Sequence, residues 1–425
     1  MKRSKVIAVT AVAATIALVM AGCSSAPESE GTADEPVTIT FWGAYGNGGN
    51  SAQADVLNDT LIPSFEEANP GITVEYVDVP YDDLLKKLTT SAAGDELPDL
   101  VRADLGWVPK FADLGVLVPL SDEMDNFQEL ADATFPGVLS TNLYDGKYYG
   151  LPLDTNTRVL ITSQEALDAQ GLDAPPATFD EFVAAADALT DSGVQVFADG
   201  GLGAWNISPW IWSGGGAVTD DKVTTSTGYL DNDKSVAAVQ MLVDLYKDGQ
   251  ISNGIIGNAG ATSTSEGLPG GNYANILDGP WMNGIWSEQF PDFTPIYAPM
   301  PAGDGGSVSV VGGEDIVLTS TSEHKKAAMK FIEFTQSEEF QMALVPTGQL
   351  TVIKALGDKQ VELLPYLALF TDQLATARAR VAIPQGSEVD TILNQALVPA
   401  FEGSVTVKDA LTGAAAEIDA ILAGN

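Results

Sequence analysis

Between residues 37 and 101 the chain changes its hydrophobic period from strand to helix and back, and that alternation decides which class of fold is open to it. Val37, Ile39 and Phe41 alternate with Thr38, Thr40 and Trp42, the period of two of a half-buried strand, and Gly43 ends the run. Leu57, Leu61 and Phe65 then recur at helical spacing within 55–69, and Asn69-Pro70-Gly71 stops that helix. Ile72, Val74 and Tyr76 alternate again. A second helix from Asp82 carries Leu84, Leu85 and Leu88 and ends near Gly94, and Leu97-Pro98-Asp99-Leu100-Val101 reads as a short buried strand. Strand, helix, strand, helix, strand is an α/β order; it predicts parallel pairing with sites at the strand C-termini. At 425 residues the chain is longer than one hydrophobic core usually serves, so at least two domains are expected.

Farther along, Thr178 and Glu181 stand three apart before Phe182, Val183 and Leu189, and Ser320 and Glu323 repeat the spacing before Met329, Phe331 and Ile332. Both patterns predict helix starts of the capping-box type. Residues 198–228, rich in Gly and Trp, read as loops around a buried short helix; residues 254–272, dense in Gly, Ser and Thr, read as a long irregular connection. The sequence shows no tandem repeat, no coiled coil and no second transmembrane segment.

Composition excludes several functions. The chain carries 58 Asp and Glu against 20 Lys and Arg, a formal charge of −38, which argues against a nucleic-acid partner because phosphate binding needs basic surface. One His, His324, and one Cys, Cys23, leave no His-rich metal site, no internal disulfide, no CxxC pair and no Ser-His-Asp triad away from His324. No cofactor or metal is called for. His324, in Glu323-His324-Lys325-Lys326, reads as an exposed, inert residue in the first turn of a helix.

The N-terminus reads as a targeting device. Lys2, Arg3 and Lys5 precede an uncharged run from Val6 to Ala21, short for a membrane span, and Met20-Ala21-Gly22-Cys23 follows. That tetrapeptide resembles the bacterial lipobox, whose Cys is lipidated and becomes the first residue after cleavage; Met20 stands where Leu is usual. The plainer alternative is ordinary secretory cleavage near Ala21, but it leaves an odd exposed thiol. Residues 1–22 are thus read as a lipoprotein signal peptide, and 23–36 as a lipidated Cys on a flexible, small and acidic tether. Two acyl chains give the two-signal anchoring that one chain does not, so the body is expected outside the cytoplasmic membrane, tethered to its outer face.

Five of the seven Trp, namely Trp42, Trp107, Trp205, Trp210 and Trp281, stand where a strand end or loop is expected, several beside Asp or Asn. Such a setting suits a sugar: a ring face stacks on the apolar C–H face of a pyranose while carboxylates and amides hold its hydroxyls. The alternative for any one of them is simple core packing.

These segments together resemble the extracellular solute-binding proteins of bacterial ABC importers, in the carbohydrate-binding, maltose-binding-protein-like branch. The resemblance rests on Phe65-Glu66-Glu67-Ala68-Asn69-Pro70-Gly71-Ile72-Thr73-Val74, on Leu97-Pro98-Asp99-Leu100, on Tyr144-Asp145-Gly146-Lys147-Tyr148-Tyr149-Gly150-Leu151-Pro152, and on Pro176-Ala177-Thr178-Phe179-Asp180-Glu181-Phe182. Asp278-Gly279-Pro280-Trp281, Val311-Gly312-Gly313 and the helix at 325–337 extend it, and the order of these motifs carries more than any one of them. It implies a two-lobed periplasmic-binding-protein fold of type II, with crossovers near 154–156, 309–312 and 350–353. Lobe 1 would comprise 37–155 plus 312–352, and lobe 2 156–311 plus 353–425. Position by position it implies that Trp42, Tyr45, Asp104 and Trp107 line the first lobe's side of an interlobe cleft. Asp154, Asn156, Trp205 and Trp281 would line the hinge and second lobe, with Gly312, Gly313 and Glu314 at the third crossover. Ile383-Pro384-Gln385 resembles a late site loop of the branch, but no aromatic follows; Glu388 and Asp390 hold that neighbourhood, which points away from maltose. Arg158 and Arg380 read either as residues that close the cleft or as surface salt bridges.

The implied function is capture of a sugar or oligosaccharide and its delivery to the transmembrane permease subunits of an ABC importer, without catalysis. Two competitors stand beside it. A polyamine or other cationic solute would suit aromatic residues flanked by Asp104, Asp154, Asp278 and Glu314. A secreted glycosidase would need two placed carboxylates, which 58 acidic residues supply by chance. The lipid reading makes its own prediction: Cys23→Ala leaves the fold intact and moves the protein from the membrane fraction to the medium or periplasmic fluid. Fractionation with labelled fatty acid checks it, and a mutant that stays membrane-bound contradicts the lipid reading.

Overall fold

The computed structural model describes residues 31–32, 35–46, 51–94, 96–258 and 260–424; the signal segment, Cys23 and residues 24–30 lie outside them. Among these described residues, nine strands build two sheets: β1 (Val37–Gly43), β2 (Ile72–Asp78), β3 (Leu100–Asp104), β4 (Gly150–Thr157), β5 (Val159–Ser163), β6 (Gln195–Ala198), β7 (Tyr273–Asp278), β8 (Pro295–Ala298) and β9 (Val311–Leu318). The first sheet has the order β2-β1-β3-β9-β4, the second β8-β5-β7-β6. A separate short hairpin pairs Leu143–Tyr144 with Lys147–Tyr148.

The expected parallel pairing holds for β1 with β2 and for β1 with β3. The sheet is nevertheless mixed, because β9 returns from more than two hundred residues away and inserts antiparallel between β3 and β4. The third strand begins at Leu100, later than the pattern 97–101 predicts. Pro98 has no N–H to give a ladder, and the Asp99 carboxylate instead accepts from Thr40 N–H at 2.8 Å, from the Thr40 hydroxyl and from the Ser322 hydroxyl. The predicted helix 55–69 is also not one regular helix. It runs as Ser51–Val56, a wider π turn at Leu57–Leu61, and Ile62–Ala68, with Pro63 at the start of the last piece. Proline there cannot donate to the carbonyl four residues back, and the backbone widens just upstream. The face is still the predicted one, since Leu57, Leu61 and Phe65 are fully buried.

Each sheet has its own core. Ile39, Phe41, Phe65, Leu151, Ile316 and Phe331 share one cluster, with Lys325–Thr335 and Glu338–Leu344 packed against the first sheet. Leu160, Phe182, Phe197, Trp210, Val239 and Leu411 share the main cluster of the other, covered by the helices Phe179–Leu189, Ala204–Ser213, Asp233–Lys247, Gly386–Phe401 and Val407–Leu422. Trp210 therefore belongs to the core, 1% exposed and edge-on to Phe197 at 5.3 Å between ring centroids; the loop setting its sequence suggests is the buried helix Ala204–Ser213.

The two predicted helix starts fare differently. Thr178 does cap its helix, accepting from Glu181 N–H, while Glu181 reaches back to the N–H of Ala177. The second helix begins at Lys325 rather than beside Ser320, whose hydroxyl is engaged with the carbonyl of Gly115. His324 accordingly sits at the N-cap, half-buried, with its N–H given to the Ser322 hydroxyl.

The chain passes from β4 of one sheet to β5 of the other with Arg158 alone between them. Arg158 is neither a cleft-closing nor a surface residue. It is buried, donating to Asp199 Oδ1 at 2.7 Å, to the Leu277 carbonyl and to the Trp205 carbonyl, so it pins the junction to the second sheet.

On the first sheet Asp315 is the other buried anchor. It accepts from Asn142 Nδ2 at 2.7 Å and from the Thr141 hydroxyl at 3.2 Å. Burial pushes its carboxyl up to about 8 in spite of these donors, with the charges of Asp104 and Asp154 adding to the rise. A carboxyl raised in the fold binds a proton that the unfolded chain gives up, so its contribution is complete below the unfolded value near 4 and is lost as pH climbs toward 8. Asp315→Asn removes that proton from the balance. Its melting temperature is expected to fall less steeply than the wild type's between pH 5 and pH 8, as calorimetry across that range will show.

Candidate functional site

The site grows from the register of the first sheet. Glu314 on β9 is paired with Asp104 on β3 on one side and with Asp154 on β4 on the other, which lays three carboxylates in a row across adjacent strands. Side chains two apart on a strand share a face, so Arg102 lies beside that row. Its Nη2 is 2.8 Å from Glu314 Oε2 and 3.3 Å from Asp154 Oδ2. Burial alone would lower Arg102, but Glu314 and Asp154 outweigh it and hold the guanidinium firmly protonated. Burial keeps the Glu314 carboxyl well above the usual range; Arg102 opposes that rise and Asp154 adds to it.

Above this row a cavity of about 580 Å³ opens between the sheets, within the range of small-molecule sites. Two aromatic rings stand at its edge. Trp205 begins the helix Ala204–Ser213, whose Ala204 N–H is held by Asp390 Oδ1 at 2.7 Å. Trp281 follows the rigid turn Asp278-Gly279-Pro280 and starts the helix Met282–Gln289. The rings are stacked at 6.5 Å between centroids and 27° between planes, and both are half-buried. Glycines permit this placement: a Cβ on Gly279 would lie 2.0 Å from the Trp281 ring, and one on Gly312 would lie 2.6 Å from Trp205 and 2.2 Å from Asn156 Oδ1. Burial pushes the Asp278 carboxyl up to about 6, against the pull of Arg158, and Asp278 Oδ1 accepts from Gly279 N–H.

Of the residues implied by resemblance, the fold brings Asp104, Asn156, Trp205, Trp281, Gly312, Gly313 and Glu314 to the wall of this cavity. Asn156 gives Nδ2 to Gln349 Oε1 at 3.3 Å, and its buried Oδ1 has no hydrogen-bond partner among the described residues. The other five stand elsewhere. Tyr45 is 1% exposed, its ring against the Arg102 guanidinium at 4.3 Å, because the turn after β1 folds inward onto the core. Trp42 lies under Lys87, whose Nζ is 3.6 Å from its ring centroid, away from the cavity wall. Asp154 is 2% exposed and spent on Arg102 below the wall. Trp107 lines a neighbouring cavity instead. Glu388 is exposed, and Asp390, two positions on, faces the cavity in its place because the helix Gly386–Phe401 turns Glu388 outward.

Residues absent from the sequence reading also reach the wall: Tyr81, Arg102, Asn206 and Gln349, with Arg380 in a more definite place than its reading. Arg102 had a signal, since it is two residues from Asp104 on one strand. Tyr81 and Gln349 had none, because only tertiary packing sets Tyr81 against Asp104 and Gln349 against Asn156. Arg380 Nη2 donates to Asp104 Oδ1 at 2.6 Å, and the Tyr81 hydroxyl donates to Asp104 Oδ2 at 2.7 Å. The Arg380–Asp104 pair is thus a cleft-spanning contact.

Two α/β bodies hinged at β4–β5, with a polar and aromatic cleft between their sheets, form a periplasmic-binding-protein fold of type II. The model of the bacterial extracellular solute-binding protein family matches residues 43–342, and the chain belongs to that family. A binding protein of Brucella abortus is 28% identical over 383 residues, covering 88% of this chain and 91% of that protein. An ABC transporter solute-binding protein of Thermotoga lettingae, solved bound with α-D-tagatose, is 26% identical with a TM-score of 0.80, covering 91% of this chain and 99% of that one. The cyclic α-maltosyl-1,6-maltose binding protein of Arthrobacter globiformis is 26% identical with a TM-score of 0.76, covering 92% and 100%.

Gly312 offers a direct check on the site's architecture. Gly312→Ala forces a methyl group against Asn156 and the Trp205 ring, and overpacking of this kind costs about 1–3 kcal/mol. Denaturant unfolding should show that loss; a variant as stable as the wild type would mean that Trp205 does not lie on Gly312.

Proposed function

We propose that the protein captures a sugar or oligosaccharide in the interlobe cleft and delivers it, chemically unchanged, to the permease subunits of an ABC importer. The observation that carries this reading is the stacked pair Trp205 and Trp281 at the edge of a cavity whose wall is otherwise rich in polar side chains. Half-buried indole faces suit the C–H faces of a pyranose, and Asn156, Gln349, Asn206 and Asp390 supply donors and acceptors for its hydroxyls. The sugars bound by the Thermotoga and Arthrobacter proteins support the same ligand class. The protein works at the outer face of the cell membrane, held there by the lipid on Cys23. Its lobes are 37–155 plus 312–352 and 156–311 plus 353–425.

The cationic reading loses ground on the geometry. Most of the acidic groups it relies on are already engaged: Asp104 is paired with Arg380, and Asp154 and Glu314 share Arg102. Asp278 is absent from the cavity wall. That pairing reduces the charge left to pull a polyamine in, Asp390 being the further carboxylate on the wall, and it occupies carboxylates that a glycosidase would use.

Thermal unfolding against a panel of mono- and oligosaccharides and polyamines tests the assignment, since ligand at 100 times Kd raises native-state stability by about 2.7 kcal/mol. A shift with polyamines alone would reverse it. With the sugar identified, Trp281→Ala should cost about 2 kcal/mol of binding, roughly 30-fold in Kd, by titration calorimetry. Normal affinity together with a collapsed melting temperature would assign Trp281 to packing.

A further inference from the structure

The cavity described above does not end at a wall of packed core. It ends at an ion pair. Beyond the Arg380–Asp104 contact lies a second cavity of about 310 Å³, and Tyr81, Arg380 and Asp390 line both. The far compartment has its own aromatic surface: Tyr81 is 41% exposed, and its ring lies against Trp107 at 5.4 Å between centroids and 34° between planes. Aromatic residues therefore flank the pair, with Trp205 and Trp281 in the near compartment, Trp107 in the far one and Tyr81 on the wall of both.

The pair joins the two lobes. Asp104 ends β3 of the first sheet. Arg380 projects from the loop ahead of the helix Gly386–Phe401, and its neighbours Val381 and Ile383 pack on the second lobe's core. Its guanidinium is held from several sides, by Asp104 at 2.6 Å and over the Trp205 ring at 5.7 Å. Of the side chains that line both compartments, Arg380 is one that the fold does not need for Asp104. That carboxylate keeps the Tyr81 hydroxyl and the Gly106 N–H as donors, at 2.7 and 2.8 Å, when Arg380 is removed.

We propose that the Arg380–Asp104 pair is a partition within one extended oligosaccharide cleft, and that Arg380 sets the length of sugar chain the protein accepts. The inference rests on the sugar reading above. With the partition in place the ligand ends against the guanidinium. Without it, a longer chain continues onto the Tyr81 ring. Ser387 and Thr391 of the helix Gly386–Phe401 supply hydroxyls along that path.

The test is titration calorimetry with homologous neutral oligosaccharides of one to six units, α- and β-linked glucose, galactose and mannose series, on the full chain. Wild type, Arg380→Ala, Arg380→Gln, Arg380→Lys and Ser387→Phe are compared, together with the double variant Arg380→Ala/Ser387→Phe. Wild-type affinity should stop rising at a fixed length and be insensitive to Ser387→Phe, since Ser387 lines only the far compartment. Arg380→Ala and Arg380→Gln should gain about tenfold or more for chains beyond that length, the double variant should lose the gain, and Arg380→Lys should keep the wild-type limit. Uniform weakening at every length in Arg380→Ala and Arg380→Gln overturns the partition while leaving sugar binding standing, as does a wild type whose long-chain affinity falls with Ser387→Phe. No binding of any sugar by the wild type overturns the sugar reading and the partition together.

Discussion

The ion cluster around Arg102 is the constraint on which the cleft depends. β9 must lie between β3 and β4 for Asp104, Glu314 and Asp154 to stand side by side, and Arg102 must lie beneath them for that row to be tolerated. Three neighbouring carboxylates in a buried strand register repel one another, and removing one partner of such a cluster usually costs far more than its net contribution. The cluster also fixes what stands over it. Gly312 and Gly313 precede Glu314 on the same strand; the missing side chain of Gly312 leaves the space that Trp205 occupies, and that of Gly313 lets the backbone of Asp154 and Thr155 approach. Charge pairing, backbone shape and aromatic placement are thus set by one strand.

The electrostatics of the cleft follow from the same pairing. A chain with a formal charge of −38 invites the expectation of an anionic pocket, yet Asp104, Asp154 and Glu314 at the cleft are engaged by Arg102 and Arg380, two of only 20 basic residues. Much of the acidic surplus lies on exposed surface, where it is solvated and screened. What remains at the cavity is a set of hydrogen-bonding groups and ring faces, which recognise shape and hydroxyl geometry more than charge. Arg380 adds a second consequence, because a cation long enough to cross the cleft joins the lobes and divides the space between them.

Much of the fold was legible because it is written in local period. The alternation at 37–41 and 72–76 gave the first two strands, and Leu57, Leu61 and Phe65 gave the buried helical face even though Pro63 breaks that helix's regular winding. Reading the Trp residues was less secure for a physical reason. A Trp in a glycine-rich stretch looks the same in sequence whether its ring turns out toward a cavity, as in Trp205 and Trp281, or is covered by neighbouring elements, as in Trp210. Tyr45 and Asp154 illustrate the same point for polar groups: each is close in sequence to the cleft, and each is turned below its wall.

By itself, the sequence determined the α/β class, the need for more than one core, the lipobox-like start, the Gly-Pro-Trp turn at 279–281 and the glycine pair at 312–313. These depend on residue spacing and on backbone freedom over a few neighbours. Only the tertiary structure decided the mixed first sheet, the matching of Asp104 by Arg380 across 276 positions, and the substitution of Asp390 for Glu388 at the cavity. Those depend on which surfaces meet once each core has formed. Long-range packing, not local propensity, brings Tyr81 and Arg380 to the same carboxylate.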